Sequence, residues 1–285
     1  MAQIAVMTDT NSGMTPEEAR EAGVFLLAMP FTVDGCECFE YLNISHEAFY
    51  SRQLAGAQIS SSQPAPAALL DMWDSILEEH DALVYIPMTS GLSGSYATAA
   101  GFAADYDGRV VVVDNRRISV SLKQAVLEAV RLRDTGKTAR EIADRLMEKA
   151  LDSRIYITVE DLAHLKKSGR ITPTVAAVGT VLNIKPVMKI LDGKLDMHSK
   201  VRGMKQARQT MLDAVRADLE GDFAGKKVII AAAYSGDREE GEAWAQVVRE
   251  SFPDKPFMSD PLPLSIGCHV GPGALGAAIF ADFDV

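Results

Sequence analysis

What this chain of 285 residues lacks narrows its class. It has only three cysteines, Cys36, Cys38 and Cys268. An odd number without framework spacing excludes a disulfide scaffold and fits a reducing compartment. Cys36 and Cys38 form a C-x-C pair with no second pair to follow, so no zinc site is expected. The N-terminus, Met-Ala-Gln-Ile-Ala-Val, has no basic stretch before its apolar residues and reads as a first strand, not a signal peptide. The longest uncharged run, Pro261 to Ala281, carries three prolines, four glycines and His269, which makes it a poor membrane span. No internal repeat or low-complexity tract is present. These absences predict a cytoplasmic protein without a transmembrane segment.

Basic charge is also scarce. The formal net charge is −10. A general nucleic-acid binder needs a basic surface, and no helix-turn-helix signal is present, so nucleic acid is not an expected partner. The sum hides a local reversal. Asp161 to Arg208 holds ten Lys/Arg and three Asp/Glu, a net of 10 − 3 = +7, which leaves −17 on the rest. That segment is either a solvated face or a docking site for an acidic partner or a phosphate.

Hydrophobic residues make up 47% and charged residues 24%, enough apolar material for a sizeable core. Strand and helix signals alternate, which predicts an α/β fold. Gln3–Met7 reads as a strand followed by a polar turn. Thr15-Pro16-Glu17-Glu18 carries the N-cap, early proline and third-position glutamate of a helix start. Val24–Val33 reads as one strand, with Asp34-Gly35 as its hairpin turn. Pro64–His80 has helical spacing at Leu69, Leu70, Trp73, Ile76 and Leu77. Asp81–Met88 is a strand, Gly94–Ala104 a small-residue helix, and Arg109–Asp114 a strand whose four valines suit a parallel sheet. Helices are predicted around Ser119–Arg133 and Thr138–Leu151.

A second strand set is predicted from Arg154–Val159, followed by a short helix over Asp161–Lys167. Val187–Leu191 and Lys194–His198 flank the hairpin signal Asp192-Gly193. Gly203–Leu219 reads as a helix, Lys227–Tyr234 as a buried strand, Arg238–Ser251 as a helix and Ala274–Phe280 as a last strand. The expected division is an N-terminal α/β domain over residues 1–152 and a C-terminal α/β domain over residues 153–285.

Three clusters are candidates for chemistry. Met88 to Tyr96 joins a buried strand to a helix. Gly91 and Gly94 suit a tight turn close to a ligand, the helix start favours an anion, and Ser93 and Ser95 add hydroxyls. Ser60 to Pro64 is a second polar cluster ahead of a helix. Its Ser61 and Ser62 suit the same anion, although a serine N-cap is the simpler reading. The third is His269 beside the turn Gly271-Pro272-Gly273, where loop residues are often aimed at a site.

Together these segments resemble the DegV family, whose pattern runs D-S, T-S-Q-P, S-S-G-L-S-G-T-Y, L-x-x-L-x-x-G-R-I, L-x-I-K-P-V and a terminal H-x-G-P-G. The fourth motif stands here as Leu162 to Ile171 and the fifth as Leu182 to Val187. Ser61 and Ser95 replace threonines and keep the hydroxyl, Thr89 replaces a serine, and Asn11 intrudes in the first motif, where either Asp9 or Ser12 matches.

The resemblance implies a two-domain fold with a long-chain fatty acid between the domains. It places the carboxylate at Ser61, Ser93 and His269, with Ser62, Gly91, Gly94 and Ser95 as supporting loop. It also implies a partner, a separate ATP-dependent fatty acid kinase that makes acyl phosphate for phospholipid metabolism. The chain has no G-x-x-x-x-G-K-[ST] loop, as suits a lipid-binding carrier rather than an enzyme, and no cofactor is implied. Lys166, Lys167, Arg170, Arg202 and Lys205 are the candidates for docking the kinase or steadying the phosphate. The rival reading is a serine hydrolase, with Ser93, Asp260 and His269 in Ser…Asp…His order.

Overall fold

The computed structural model describes residues 2–171 and 184–282. Leu182 and Asn183 of the fifth motif lie outside the described residues. The first sheet is wholly parallel, in the order β2 (Val24–Leu27), β1 (Ile4–Asp9), β6 (Ala82–Ile86), β7 (Val110–Val112). All six residues of β1 are buried, as a parallel sheet covered on both faces requires. On one face pack α3 (Pro66–Glu79) and α4 (Ser95–Ala103), with Trp73 and Tyr85 edge to face. On the other lie α5 (Ser119–Asp134) and α6 (Ala139–Glu148), which supply Leu122, Val126, Ile142 and Leu146 to the largest core. The link from β1 to β2 is α1 (Pro16–Ala22). It opens with a reciprocal cap, Glu18 N–H to Thr15 Oγ1 at 3.1 Å and Thr15 N–H to Glu18 Oε2 at 2.8 Å.

The predicted single strand Val24–Val33 is two. β2 ends at Leu27, and β3 (Pro30–Val33) starts a separate antiparallel sheet with β4 (Cys36–Phe39) and β5 (Ile59–Ser61). Asp34 and Gly35 both take positive φ, 52° and 80°, as the predicted hairpin turn requires. α2 (His46–Leu54) crosses from β4 to β5. Phe31 and Phe49 meet there with Leu264 of a late helix, α10 (Leu264–Val270). The serine-cap reading of residues 60–64 is not supported: Ser61 ends β5, and α3 is capped at Ala65 without a side-chain bond.

The six-stranded sheet runs β10 (Lys194–Arg202), β9 (Ile184–Leu191), β8 (Ser153–Thr158), β13 (Leu275–Ala281), β11 (Val228–Tyr234), β12 (Phe257–Pro261), antiparallel except for β11 beside β12. α7 (Ala163–Ser168) follows β8 and stops at Gly169, in the left-handed region. α8 (Met204–Glu220) and α9 (Arg238–Ser251) cover the outer face, where Tyr156, Ile230, Ala277 and Ile279 point. The alternate residues Ile155, Ile157, Ala231, Ala233 and Ala278 point inward toward the first sheet and α5. This period of two decides what lies between the sheets. Among the described residues no helix is long and apolar enough to cross a membrane.

Candidate functional site

The inner face of the six-stranded sheet does not close fully on the parallel sheet. Where β11 and β13 present Ala233, Gly276 and Ala278, the side chains are too small to fill the gap. Bulkier residues on β8, β9 and β10 wall it: Ile155, Ile157, Met188, Ile190 and Leu195. From the opposite side come Met88, Leu92, Ile118 and Val120 off the carboxyl ends of the parallel strands, where ligand crevices form in such sheets. The space between the lining atoms is about 1130 Å³, open mouth included. Most of this lining is aliphatic, so the cavity suits an apolar chain.

Polar groups gather at one end. Ser61, Ser62, Gln63, Ser93, Gly94, Arg170 and His269 all line the same cavity. Ser61 Oγ lies 2.8 Å from His269 Nε2 across 208 residues of sequence. His269 sits in the last turn of α10, beside the turn Gly271-Pro272-Gly273. Its Nδ1 is buried and has no partner. Burial first, and the nearby Arg170 cation second, push its pKa down to about 4, so at pH 7 the ring is neutral. Neutral imidazole carries a single N–H. In one tautomer Nδ1–H is left to donate, and in the other the Ser61 hydroxyl is. Either way the pair keeps a donor for an anion.

The loop before α4 is held from several sides. Met88 N–H donates to Asp9 Oδ2 at 3.3 Å, Thr89 N–H to Arg117 O at 3.0 Å, and Ser90 Oγ to Asp114 Oδ2 at 2.5 Å. The Asp9 carboxyl is fully enclosed, and burial pushes its pKa up to about 6. The N–H of Ser93 goes to Thr89 O and that of Ser95 to Ser93 Oγ. These two amides are therefore spent within the loop; the Ser93 and Ser95 hydroxyls share one hydrogen bond at 2.9 Å, and of the two it is Ser93 that lines the cavity. Both glycines are needed for close packing within the protein, and only Gly94 also borders the cavity. A Cβ on Gly91 would stand 2.3 Å from Gly193 O in the β9–β10 turn, and one on Gly94 would meet the Gln63 side chain. Gly91 does not line the cavity.

Beyond Ser61, Arg170 and His269 lies a second, polar hollow, also lined by Gln58, His164, Lys167 and Ser168. The three shared residues form the boundary between an apolar cavity and a polar opening. Lys166 and Lys167 stand on exposed positions of α7 beside it. Arg202 ends β10 and Lys205 opens α8, both exposed and neither in the cavity wall. Arg202 pairs with Ile184, at the end of the sheet where β8 also ends. Sequence reasoning missed Met29, Ile118, Ser119, Leu262, Ser265 and Ile266 as lining residues; they come from separate connections and helix starts that no common motif marks.

The hydrolase triad is not assembled. Lys123 donates to both Asp260 carboxylate oxygens at 3.1 Å and to Glu18 at 2.6 Å, so Asp260 is held away from imidazole. The His269 ring is bonded to Ser61, while Ser93 is bonded to Ser95. A histidine of pKa about 4 with an unpartnered Nδ1 is a weak general base.

A family model described as "Uncharacterised protein, DegV family" matches residues 3–282. The chain belongs to the DegV family. A DegV domain-containing protein of Clostridium acetobutylicum is 30% identical over 98% of each chain. Another DegV relative, from Deinococcus radiodurans, is 30% identical over 97% of this chain and 98% of its own. A structure described as fatty acid binding of a DegV family protein from Thermus thermophilus superposes with a TM-score of 0.88, at 27% identity over 98% of this chain and 99% of that one. The stearic acid-binding protein of Eubacterium ventriosum shares the DegV fold, with a TM-score of 0.89 at 22% identity over 99% of each chain.

Proposed function

We propose that this DegV protein binds one long-chain fatty acid in the cavity between its two larger sheets and offers the carboxylate to a separate ATP-dependent fatty acid kinase. The observation that carries this reading is the junction at Ser61, Ser93 and His269. An aliphatic cavity ends there, at hydroxyls and an imidazole that open onto a polar hollow. The fatty acid binding described for the Thermus thermophilus relative supports the ligand class.

The two parts of such a ligand need different things. Each methylene gains about 0.8 kcal/mol on burial, without regard to direction. The carboxylate is costly to bury unless several donors meet it. Ser93, with Ser61 or His269, supplies them, and the Arg170 cation at the mouth adds attraction. The kinase would reach the carboxylate from the polar hollow, with Lys166, Lys167, Arg202 and Lys205 as its docking face and Arg170 beside the phosphate. Domain division at residue 153 fits this arrangement, since the apolar wall then comes largely from one side and the serine loop from the other.

Native mass spectrometry of protein purified from cells tests the reading. A co-purified mass of one fatty acid is expected. Repeated extraction without lipid, together with no uptake of added fatty acid, overturns it.

A further inference from the structure

The cavity wall contains a second polar group that the carboxylate end does not use. Asn11, Ser119 and Ser265 line it and are 2%, 4% and 6% exposed. Ser265 Oγ donates to Asn11 Oδ1 at 2.6 Å. This leaves the Asn11 amide N–H pair. One of its N–H groups turns to Asp9, where a loose hydrogen bond lowers that carboxyl's pKa against the larger effect of burial; the amide nitrogen has no other partner. Ser119 Oγ is buried without a partner. Buried polar groups are nearly always fully hydrogen-bonded, so a partnerless Ser119 hydroxyl and a half-used Asn11 amide in the cavity wall need a reason.

The backbone supplies a second sign. Ser119 has φ 53°, a left-handed conformation that serine rarely adopts. It is held there by its neighbours: Ser121 Oγ donates to Ile118 O at 2.8 Å and accepts from Ile118 N–H at 3.3 Å. Such strain persists only where the surroundings fix it, and it clusters at ligand sites. α5 packs on the short turn Thr10–Ser12, which brings Ser119 and Asn11 to the same part of the wall.

Resting on the proposed fatty-acid function, we infer that the cavity takes an acyl chain carrying an oxygen function, a hydroxyl or keto group, bound by Asn11 and Ser119. A hydroxyl accepts from the Asn11 amide and exchanges a hydrogen bond with Ser119; a keto oxygen accepts from both. Its position along the chain follows from α10. Ser265 precedes His269 by four residues, about 6 Å of helix rise. At roughly 1.2 Å per bond of an extended chain, that places the oxygen within about six carbons of the carboxylate. A plain aliphatic chain at this point leaves Ser119 unpaired and one Asn11 N–H unused, and a site built to bond a hydroxyl discriminates against ligands lacking it.

The test uses delipidated full-length protein and calorimetric titration with octadecanoic acid and with its monohydroxy isomers substituted near the carboxylate. At least one isomer is expected to bind about tenfold tighter than the plain acid or better. That ratio should collapse toward one in both Ser119→Ala and Ser119→Gly. Glycine also relaxes the positive φ, so one variant remains interpretable if the other folds poorly. Two results overturn the inference and leave the fatty-acid reading standing: no isomer preferred by the natural protein, or a preference that survives both substitutions, in which case the two atoms hold an ordered water only. Failure of every acid to bind overturns both.

Discussion

Ser61 and His269 meet at 2.8 Å although β5 and α10 lie at opposite ends of the chain. Their contact joins the small antiparallel sheet to α10 at the edge of the cavity. It also presents one free donor in either tautomer.

Ser93 faces the same junction. Removing a donor to a buried charged group costs about 1.5–3 kcal/mol, a tenfold to hundredfold loss. Ser93→Ala should therefore weaken binding of a fatty acid far more than binding of its methyl ester, which has no charge. Titration of both ligands, with a thermal melt of the variant, checks this. Equal losses would mean that the hydroxyl matters to the Ser95 cap and not to the head group.

The cavity exists because Ala233, Gly276 and Ala278 are small. Ala233→Leu should occupy acyl space and cut affinity for long chains at least tenfold, while shorter acids lose less. The ligand-free fold should hold, because the added methyl groups enter open volume and not a filled core. A chain-length series on the natural and substituted proteins measures the shift. An unchanged series would place the acyl chain elsewhere.

Local chemistry made part of this legible in the sequence. Asp34-Gly35 and Asp192-Gly193 named their hairpins because each residue of the pair must take positive φ, and all four do. Ser61, Ser93 and His269 stood out as polar residues in Gly- and Pro-rich settings. What stayed hidden was long-range. The run Val24–Val33 is apolar except for Thr32, and nothing in it says that Leu27 pairs with Asp9 while Phe31 pairs with Cys38 in another sheet. α10 is too short for periodicity; only Pro263 before it and Gly271 after it mark its ends. The cavity floor was illegible because small residues on two strands look like any other core until the strands are paired.

The five cations singled out as a docking face divide in two. Arg170 lines the cavity and lowers the pKa of His269, whereas Arg202 and Lys205 touch neither. Arg202→Glu should slow acyl-phosphate formation by the kinase and leave fatty-acid affinity within about twofold, since an exposed charge acts mainly through long-range attraction. Arg170→Glu should lower both. Parallel measurement of phosphorylation rate and ligand affinity separates them, and a fall in affinity for Arg202→Glu would remove that residue from the docking face.

The histidine should also leave a mark on stability. Its ordinary pKa of 6.5 falls to about 4 in the folded, ligand-free protein, chiefly by burial. The unfolded chain therefore takes up a proton first as pH drops. The contribution is fully present above pH 6.5, and is lost progressively between 6.5 and about 4, to a total of about 3 kcal/mol. Asp9 works in the opposite sense: with its pKa raised to about 6, its contribution is full below 3.8 and is lost as pH rises through 6. A single melting curve mixes the two, so the comparison is with His269→Gln, which keeps Asp9 and removes the imidazole. Relative to that variant, the natural protein should lose stability as pH falls from 7 to 4.5. A bound carboxylate beside the ring favours imidazolium and raises its pKa, so the relative loss should shrink when fatty acid is present. Parallel curves for the two ligand-free proteins would show that the ring is not held neutral. A loss unaltered by fatty acid would mean that the carboxylate does not lie against His269.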